Sequence, residues 1–200
     1  MKNLLALLTI LICFTSCTDK DDDQTTQAIC DTSVSEFKQI YTSFLSAPTA
    51  HEMVLMDSET HEYTFYVSIP KTICSIGYQS AHVDSTVPYL IEIVNNATSA
   101  VVYSGSHVFS TTATSYVSLT TTVNLQANVS YTIRRIQTNW GTDIGNTIGR
   151  LSQSYDSIGD PVDLLPMTSG DLHITSAGFG AIGFEQVYDY LPYIDIVFES

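Results

Sequence analysis

The amino-acid sequence predicts an all-β domain, an antiparallel two-sheet β-sandwich of jelly-roll-like arrangement, preceded by one short helix. Three observations predict this class. After residue 50 the chain is rich in Ser, Thr, Val, Ile and Tyr and poor in Lys and Ala, a composition that favours strands. Apolar and polar residues alternate with a period of two in many short segments. Turn-forming Gly, Asn and Pro separate those segments at regular intervals.

The elements follow in order along the chain. Residues 18–31 show no periodicity and are typical of a tether. Ser33 and Glu36 form a candidate capping box for a helix that ends before Pro48. Apolar residues recur at helical spacing over residues 34–45. Residues 140–166 form the longest segment without a predicted strand, a length typical of functional or poorly ordered loops. Ten strands are predicted, over residues 52–56, 63–69, 73–80, 89–94, 100–104, 108–110, 116–123, 129–137, 171–176 and 192–199.

The alternation of polar and apolar residues also predicts which way two neighbouring arginines face. Arg134 falls on the polar side of its strand, whereas Arg135 falls on the same side as Ile133 and is expected to face the core. A buried guanidinium needs a partner, and the carboxylates of Asp195 and Glu92 lie in apolar strand segments. The leading interpretation is a structural ion pair, and an anion-binding arginine is the alternative.

The N-terminal residues predict an exported lipoprotein. Lys2 precedes the apolar run 4–14, which is too short to span a bilayer, and small residues follow it. Residues 14–17, Phe-Thr-Ser-Cys, resemble a lipobox in which Cys17 is lipidated after cleavage. The predicted organisation is a signal peptide over residues 1–16, the lipidated cysteine, tether and short helix over 17–49, and the β-sandwich over 50–200.

A charge run follows the predicted anchor. Lys20, Asp21, Asp22 and Asp23 have the composition of a solvated leader. The run also resembles the acidic surface-export signal of Bacteroidota lipoproteins. That resemblance implies an outer-membrane protein, held by its lipid and exposed on the cell surface.

The net charge limits the class of binding partner, and the cysteine content limits the possible disulfides. The formal net charge of −14 opposes binding to nucleic acid and to anionic lipid. Once Cys13 leaves with the signal and Cys17 carries lipid, Cys30 and Cys74 remain as the candidate disulfide. The alternative is a buried Cys74 thiol and an unpaired Cys30 in the linker.

The motifs of common enzymes are missing from the sequence. His51-Glu52 and His61-Glu62 begin like a zinc-protease helix, but the second histidine is absent and both pairs lie in strand-like sequence. The chain has no Gly-x-Ser-x-Gly elbow and no phosphate-binding glycine loop. The sequence therefore predicts a non-enzyme that needs no cofactor.

Two candidate sites lie in the long segment 140–166 or beside it. Asp156, Asp160 and Asp163 are candidates for calcium ligands, and solvated acidic turns are the alternative, so no metal is assigned.

Trp140 is the only tryptophan of the chain and directly follows a predicted strand. An indole beside amides and carboxylates suits sugar binding, because the ring packs on the C–H face of a sugar and the polar groups bind its hydroxyls. The leading interpretation is that Trp140 caps the open end of the core, and sugar binding is the alternative. The candidate ligand residues are Trp140, Asn139, Asp143, Asn146 and Arg150.

Segments 76–80, 89–94, 102–105, 130–136 and 191–199 together resemble a family of uncharacterised Bacteroidota β-sandwich lipoproteins. The resemblance implies a fold and a location, and brings no activity or functional residues with it. The expected function is a lipid-anchored cell-surface binding or adhesion module, with a glycan or a surface protein as its partner. A structural or protein-interaction lipoprotein is the alternative, and an enzyme ranks third.

Overall fold

The structure is a computed structural model that describes residues 29–53, 58–80, 86–138, 140, 149–180 and 187–200. The predicted signal peptide, Cys17 and the acidic run 20–23 lie outside the described residues. So do Asn139, Asp143 and Asn146 of the candidate glycan site. One helix and twelve strands are described: α1 Glu36–Leu45, β1 Ala50–Met53, β2 Thr60–Val67, β3 Lys71–Tyr78, β4 Tyr89–Asn95, β5 Ala100–His107, β6 Ser115–Leu125, β7 Tyr131–Ile136, β8 Leu151–Ser154, β9 Met167–Ser169, β10 Leu172–Gly180, β11 Tyr190–Pro192 and β12 Asp195–Phe198.

All pairings between these strands are antiparallel. A six-stranded sheet has the order β5-β4-β7-β2-β10-β9, and two three-stranded sheets have the orders β1-β8-β11 and β12-β3-β6. The short link between β11 and β12 carries the chain from one three-stranded sheet to the other.

The three sheets share one core. Buried side chains of the six-stranded sheet meet those of both smaller sheets, as where Tyr78 of β3 packs edge-on against Tyr89 of β4 at 5.5 Å. Two buried tyrosine hydroxyls tie the layers together: Tyr63 donates to the Ile194 carbonyl at 2.7 Å and Tyr190 to the Gly178 carbonyl at 2.8 Å. The predicted all-β sandwich is confirmed.

Helix α1 forms with a different cap from the one predicted. Ser35, not Ser33, is the N-cap, and its hydroxyl accepts from the Lys38 backbone N–H at 3.0 Å. The Ser35 hydroxyl also donates to the buried Asp195 carboxylate at 2.6 Å, a tertiary contact that selects this serine. The helix buries four apolar side chains in the same core as the strands, so it belongs with them in one folded unit. They are Phe37, Ile40, Tyr41 and Phe44.

The sequence-based prediction of strands was wrong in detail in three segments. Residues 192–199 do not form one strand, because the chain changes sheet between β11 and β12. Residues 108–110 lie beyond the end of β5 and form no strand. The segment 140–166 contains β8, a polar strand of four residues that are all buried.

The sandwich has two distinct ends, which we name by what lies there. At the tether end β3 begins and β12 finishes. Here the Ile29 carbonyl accepts from the Ser200 backbone at 3.1 Å, and Glu199 donates to the Thr72 carbonyl at 2.9 Å. At the tryptophan end β2 and β4 begin and β7 and β10 finish, and Trp140 follows β7. A strand of eight residues such as β3 separates the two ends by roughly 25 Å.

A disulfide strengthens the tether end. Cys30 and Cys74 are bonded, with 5.8 Å between their Cα atoms. Of the two alternatives that the sequence left open, the structure has the pair. The bond links the segment that leads from the predicted anchor directly to strand β3.

Candidate ligand-binding site

Trp140 lies one turn beyond β7, and its side chain is 49% exposed. Its backbone N–H approaches the Gln137 carbonyl at 3.4 Å, which keeps it near the end of the strand. Trp140 does not belong to the buried core, so the interpretation that it caps the core was wrong. An exposed indole at a strand end is the arrangement that a sugar-binding role requires.

Arg150 is not free to bind a ligand beside Trp140. Its guanidinium donates to the Glu52 carboxylate at 2.7 and 2.9 Å and to the Thr114 hydroxyl at 3.2 Å. The same group lies 4.3 Å from the centre of the Tyr193 ring. Arg150 therefore joins elements of the two smaller sheets, and the prediction that it belongs to the Trp140 site is not supported.

A group of buried polar side chains lies beneath the tryptophan end. We name it the polar cluster and define it as His61, Tyr78, Arg135 and Gln137. His61 and Arg135 lie directly opposite each other on β2 and β7. Gln137 continues the inward-facing positions of β7, and its backbone N–H donates to the Glu59 carbonyl at 2.8 Å. Each of the four is at most 1% exposed.

The Arg135 guanidinium is held by carbonyls and aromatic rings. It donates to the Ser58 carbonyl at 3.0 Å and lies 5.7 and 5.2 Å from the centres of the Tyr78 and Tyr89 rings. Both contacts suit a positive charge in a buried position. The inward orientation predicted from the alternation is thus confirmed.

The predicted carboxylate partners of Arg135 are engaged or placed elsewhere. Asp195 accepts from Ser35 and from the Tyr116 hydroxyl, both at 2.6 Å. Glu92 lies opposite Arg134, on the outward-facing side of the sheet. An ion pair of Arg135 with either residue, the leading interpretation from the sequence, was therefore wrong.

Burial fixes the charge state of the cluster. Desolvation, and then the nearby charge of Arg135, hold the pKa of His61 well below 6.5, so that its imidazole is neutral at pH 7. Burial raises the pKa of Tyr78 to about 12, although Arg135 opposes that rise. Arg135 is thus the charged member of the cluster at neutral pH.

The cluster is short of hydrogen-bond partners. Among the described residues, eight buried side-chain polar atoms lack a partner, and six of them belong to His61, Tyr78, Arg135 and Gln137. Such atoms are rare in folded proteins, and each one costs about 1–3 kcal/mol when it is left unpaired. This concentration of unpaired polar atoms distinguishes the cluster from the other buried residues that the structure describes.

Gly149 approaches the cluster closely. A Cβ atom at this position would lie 2.5 Å from the His61 ring and 2.8 Å from the Tyr78 hydroxyl. The backbone can therefore pass here only as glycine, and it forms part of the wall over these two side chains.

The candidate calcium residues form a turn on the surface. The Asp156 carboxylate accepts from the backbone N–H groups of Ile158 and Asp160 at 2.9 and 3.0 Å, and Asp156, Asp160 and Asp163 are exposed. This is the arrangement of a solvated acidic turn. Within the described ranges, no group of three His, Cys, Asp or Glu side chains could hold a metal ion.

Sequence reasoning found Trp140 and the inward-facing Arg135 but missed the other members of the cluster. A signal for them was present, since the alternation through Tyr63 extends back to His61 and the alternation through Ile133 extends on to Gln137. Only the pairing of β2 with β7 brings these two extensions together.

The described part of the chain contains no helix long and apolar enough to cross a membrane. No family model matches this chain, and no curated protein sequence matches it either.

Proposed function

We propose that this protein is a lipid-anchored module of the bacterial cell surface that binds a glycan at the tryptophan end of its β-sandwich. The observation that carries the proposal is the exposure of Trp140 at the end of β7. The anchor and the location rest on the resemblance of residues 14–23 to a lipobox and a surface-export signal.

The chemistry of the tryptophan end supports a sugar ligand. An exposed indole face packs on the C–H groups of a pyranose ring, and the energy of such contacts comes from apolar area that water leaves. Hydroxyl groups then need hydrogen-bond donors and acceptors, and the polar cluster at the same end of the sandwich carries six buried polar atoms without a partner.

The position of the tether supports the same site. The described chain begins at Ile29, which is bound to Ser200, and the Cys30–Cys74 disulfide fixes it to β3. A lipid on Cys17 would therefore hold the tether end toward the membrane. The tryptophan end would then face outward, where a surface glycan can reach it.

A glycan array with the full chain in mild detergent tests the proposal. We expect at least one class of glycan to bind the natural protein and to lose at least tenfold in affinity when Trp140 is replaced by Ala, because the ring contact is lost. Val101→Ala is the matched control. Val101 is an exposed apolar residue, 53% exposed, that pairs with Val94 at the tether end of the sheet.

The possible results of this experiment distinguish between the proposed site, another glycan site and a role without glycan binding. Loss of binding in Trp140→Ala but not in Val101→Ala supports the proposal. Equal binding by Trp140→Ala and the natural protein would place the glycan elsewhere, and the absence of any glycan hit would favour a structural or protein-interaction lipoprotein.

A further inference from the structure

The polar cluster carries an inference about the chemical class of the ligand, and this inference rests on the proposed glycan-binding function. Arg135 is 1% exposed and carries a positive charge. Removing a charged group from water is costly unless an opposite charge or several hydrogen bonds replace the water.

No carboxylate among the described residues serves as that opposite charge. Glu62 binds Arg134 at 2.8 Å, and Glu52 binds Arg150 at 2.7 Å. Asp195 is occupied by Ser35 and Tyr116. Each of these acidic groups is thus committed to another contact, while the Nε–H of Arg135 has no acceptor.

The unpaired atoms of the cluster are of the donor and acceptor types that bind a carboxylate and the hydroxyls of a sugar ring. The Arg135 Nε–H and the Gln137 Nε2–H are donors, and the two oxygens of a carboxylate can accept from both. The Gln137 Oε1 atom and the neutral His61 ring can accept from sugar hydroxyls, whereas the Tyr78 hydroxyl can donate or accept. With a neutral sugar, the guanidinium would have no anionic partner among the described residues.

We propose that the glycan bound at the tryptophan end is acidic and that the carboxylate of a uronic acid binds between Arg135 and Gln137. The net charge of −14 opposes extended polyanions such as nucleic acid, but its effect on a single carboxylate is much smaller. Charges more than about 8 Å away are largely screened at physiological ionic strength, and the nearby Arg135 guanidinium is attractive.

Matched pairs of small sugars test the inference by isothermal titration calorimetry on the full chain in detergent. Each pair consists of the methyl glycoside of a hexuronic acid and the methyl glycoside of its parent hexose, in the gluco, galacto and manno series. The two members differ only at C6, where a carboxylate replaces a hydroxymethyl group. We expect at least one uronide to bind tenfold or more tightly than its parent.

Two variants test whether the polar cluster causes the preference for the uronide over its parent hexose. Arg135→Lys keeps the charge but removes the planar fork and Nε, so the tenfold preference for the uronide should disappear. Arg134→Lys is the matched control, because Arg134 is the neighbouring residue on the outward-facing side and binds Glu62. It should leave the preference unchanged.

If Arg135→Lys fails to fold, Gln137→Met provides a second test of uronide binding at the cluster. Both amide atoms of Gln137 lack partners, so this near-isosteric change should not lower the melting temperature. It should still weaken uronide binding at least fivefold. A residue with a merely structural role would show the opposite pattern, a lower melting temperature and unchanged binding.

The outcomes separate this inference from the proposed function. Equal affinity for uronides and parent hexoses would overturn the acidic-ligand inference while glycan binding stands. Binding of neither member of any pair, together with an array without hits, would overturn both.

Discussion

His61 and Arg135 lie directly opposite each other on β2 and β7, and both side chains face the core. A fully buried histidine beside a buried guanidinium cannot accept a proton easily, because the new charge would be desolvated and repelled. The pKa of His61 is therefore held well below its usual value of 6.5.

The stability of the fold should consequently fall in mild acid. The unfolded chain binds a proton at His61 below about pH 6.5, whereas the folded chain does not. The contribution of His61 is thus fully present above pH 6.5 and is lost as the pH falls below it, by about 1.4 kcal/mol per pH unit for one proton.

Urea unfolding between pH 7 and pH 5 measures this effect. The free energy of unfolding should fall less steeply for His61→Gln than for the natural protein, whereas the exposed His51→Gln control should follow the natural protein. Identical slopes for His61→Gln and the natural protein would show that His61 titrates normally in the fold.

Much of the fold is readable from the sequence because alternation is strong where one sheet face is buried. Strand β2 is an example, since Tyr63, Phe65 and Val67 are buried and the residues between them are only partly buried. The pattern fails where both faces are buried. All residues from Leu191 to Val197 are buried, so no alternation marks the change of sheet between β11 and β12.

Other features were set by tertiary contacts that a sequence does not display. Ser33 and Ser35 are both plausible helix caps, and the buried Asp195 decides between them. Strand β8 has the sequence Leu-Ser-Gln-Ser and is typical of a loop, yet pairing with β1 and β11 on both sides makes it a central strand. The polar cluster likewise needs the register of β2 and β7.

The Cys30–Cys74 disulfide should contribute substantially to stability. It closes a loop with a sequence separation of 44, for which loop-closure entropy gives about 4 kcal/mol. Cys74→Ser should lower the free energy of unfolding by that order, as should dithiothreitol added to the natural protein. A chain that begins at Ser33 lacks Cys30 and should show the same loss. Unchanged unfolding curves under oxidising and reducing conditions would contradict a structural disulfide.

Asp195 should be needed to hold α1 on the sheets. Its buried carboxylate accepts two hydrogen bonds of 2.6 Å, from Ser35 and Tyr116, and Lys38 lies 3.9 Å away. Burial raises the pKa of Asp195, although these hydrogen bonds oppose the rise. Asp195→Ala should cost about 3 kcal/mol by chemical denaturation, because it strips the charged acceptor from both hydroxyls.

Asp195→Asn should cost less than Asp195→Ala, since its amide oxygen can still accept from one hydroxyl. The exposed Asp163→Ala is the control and should change stability by no more than about 0.5 kcal/mol. An Asp195→Ala protein as stable as this control would refute the role assigned to the carboxylate.

Lipidation at Cys17 should account for membrane attachment. Cys17→Ala removes the proposed acylation site, and the tether 18–31 offers no apolar segment that would replace the lipid. The variant should leave the membrane fraction and should not incorporate radiolabelled palmitate. Cys13→Ala, which changes the cysteine of the predicted signal peptide, is the control and should remain lipidated. Continued partitioning of Cys17→Ala into detergent would refute the anchor.

Fluorescence of Trp140 tests the central claim most directly, because it is the only tryptophan of the chain and lies at the proposed site. A glycan that binds on the array is titrated into the full chain while emission and acrylamide quenching are followed. We predict a saturable blue shift and protection from acrylamide, with the same dissociation constant as calorimetry gives. Calorimetric binding of that glycan with unchanged Trp140 emission and unchanged quenching would contradict a binding site at the tryptophan end.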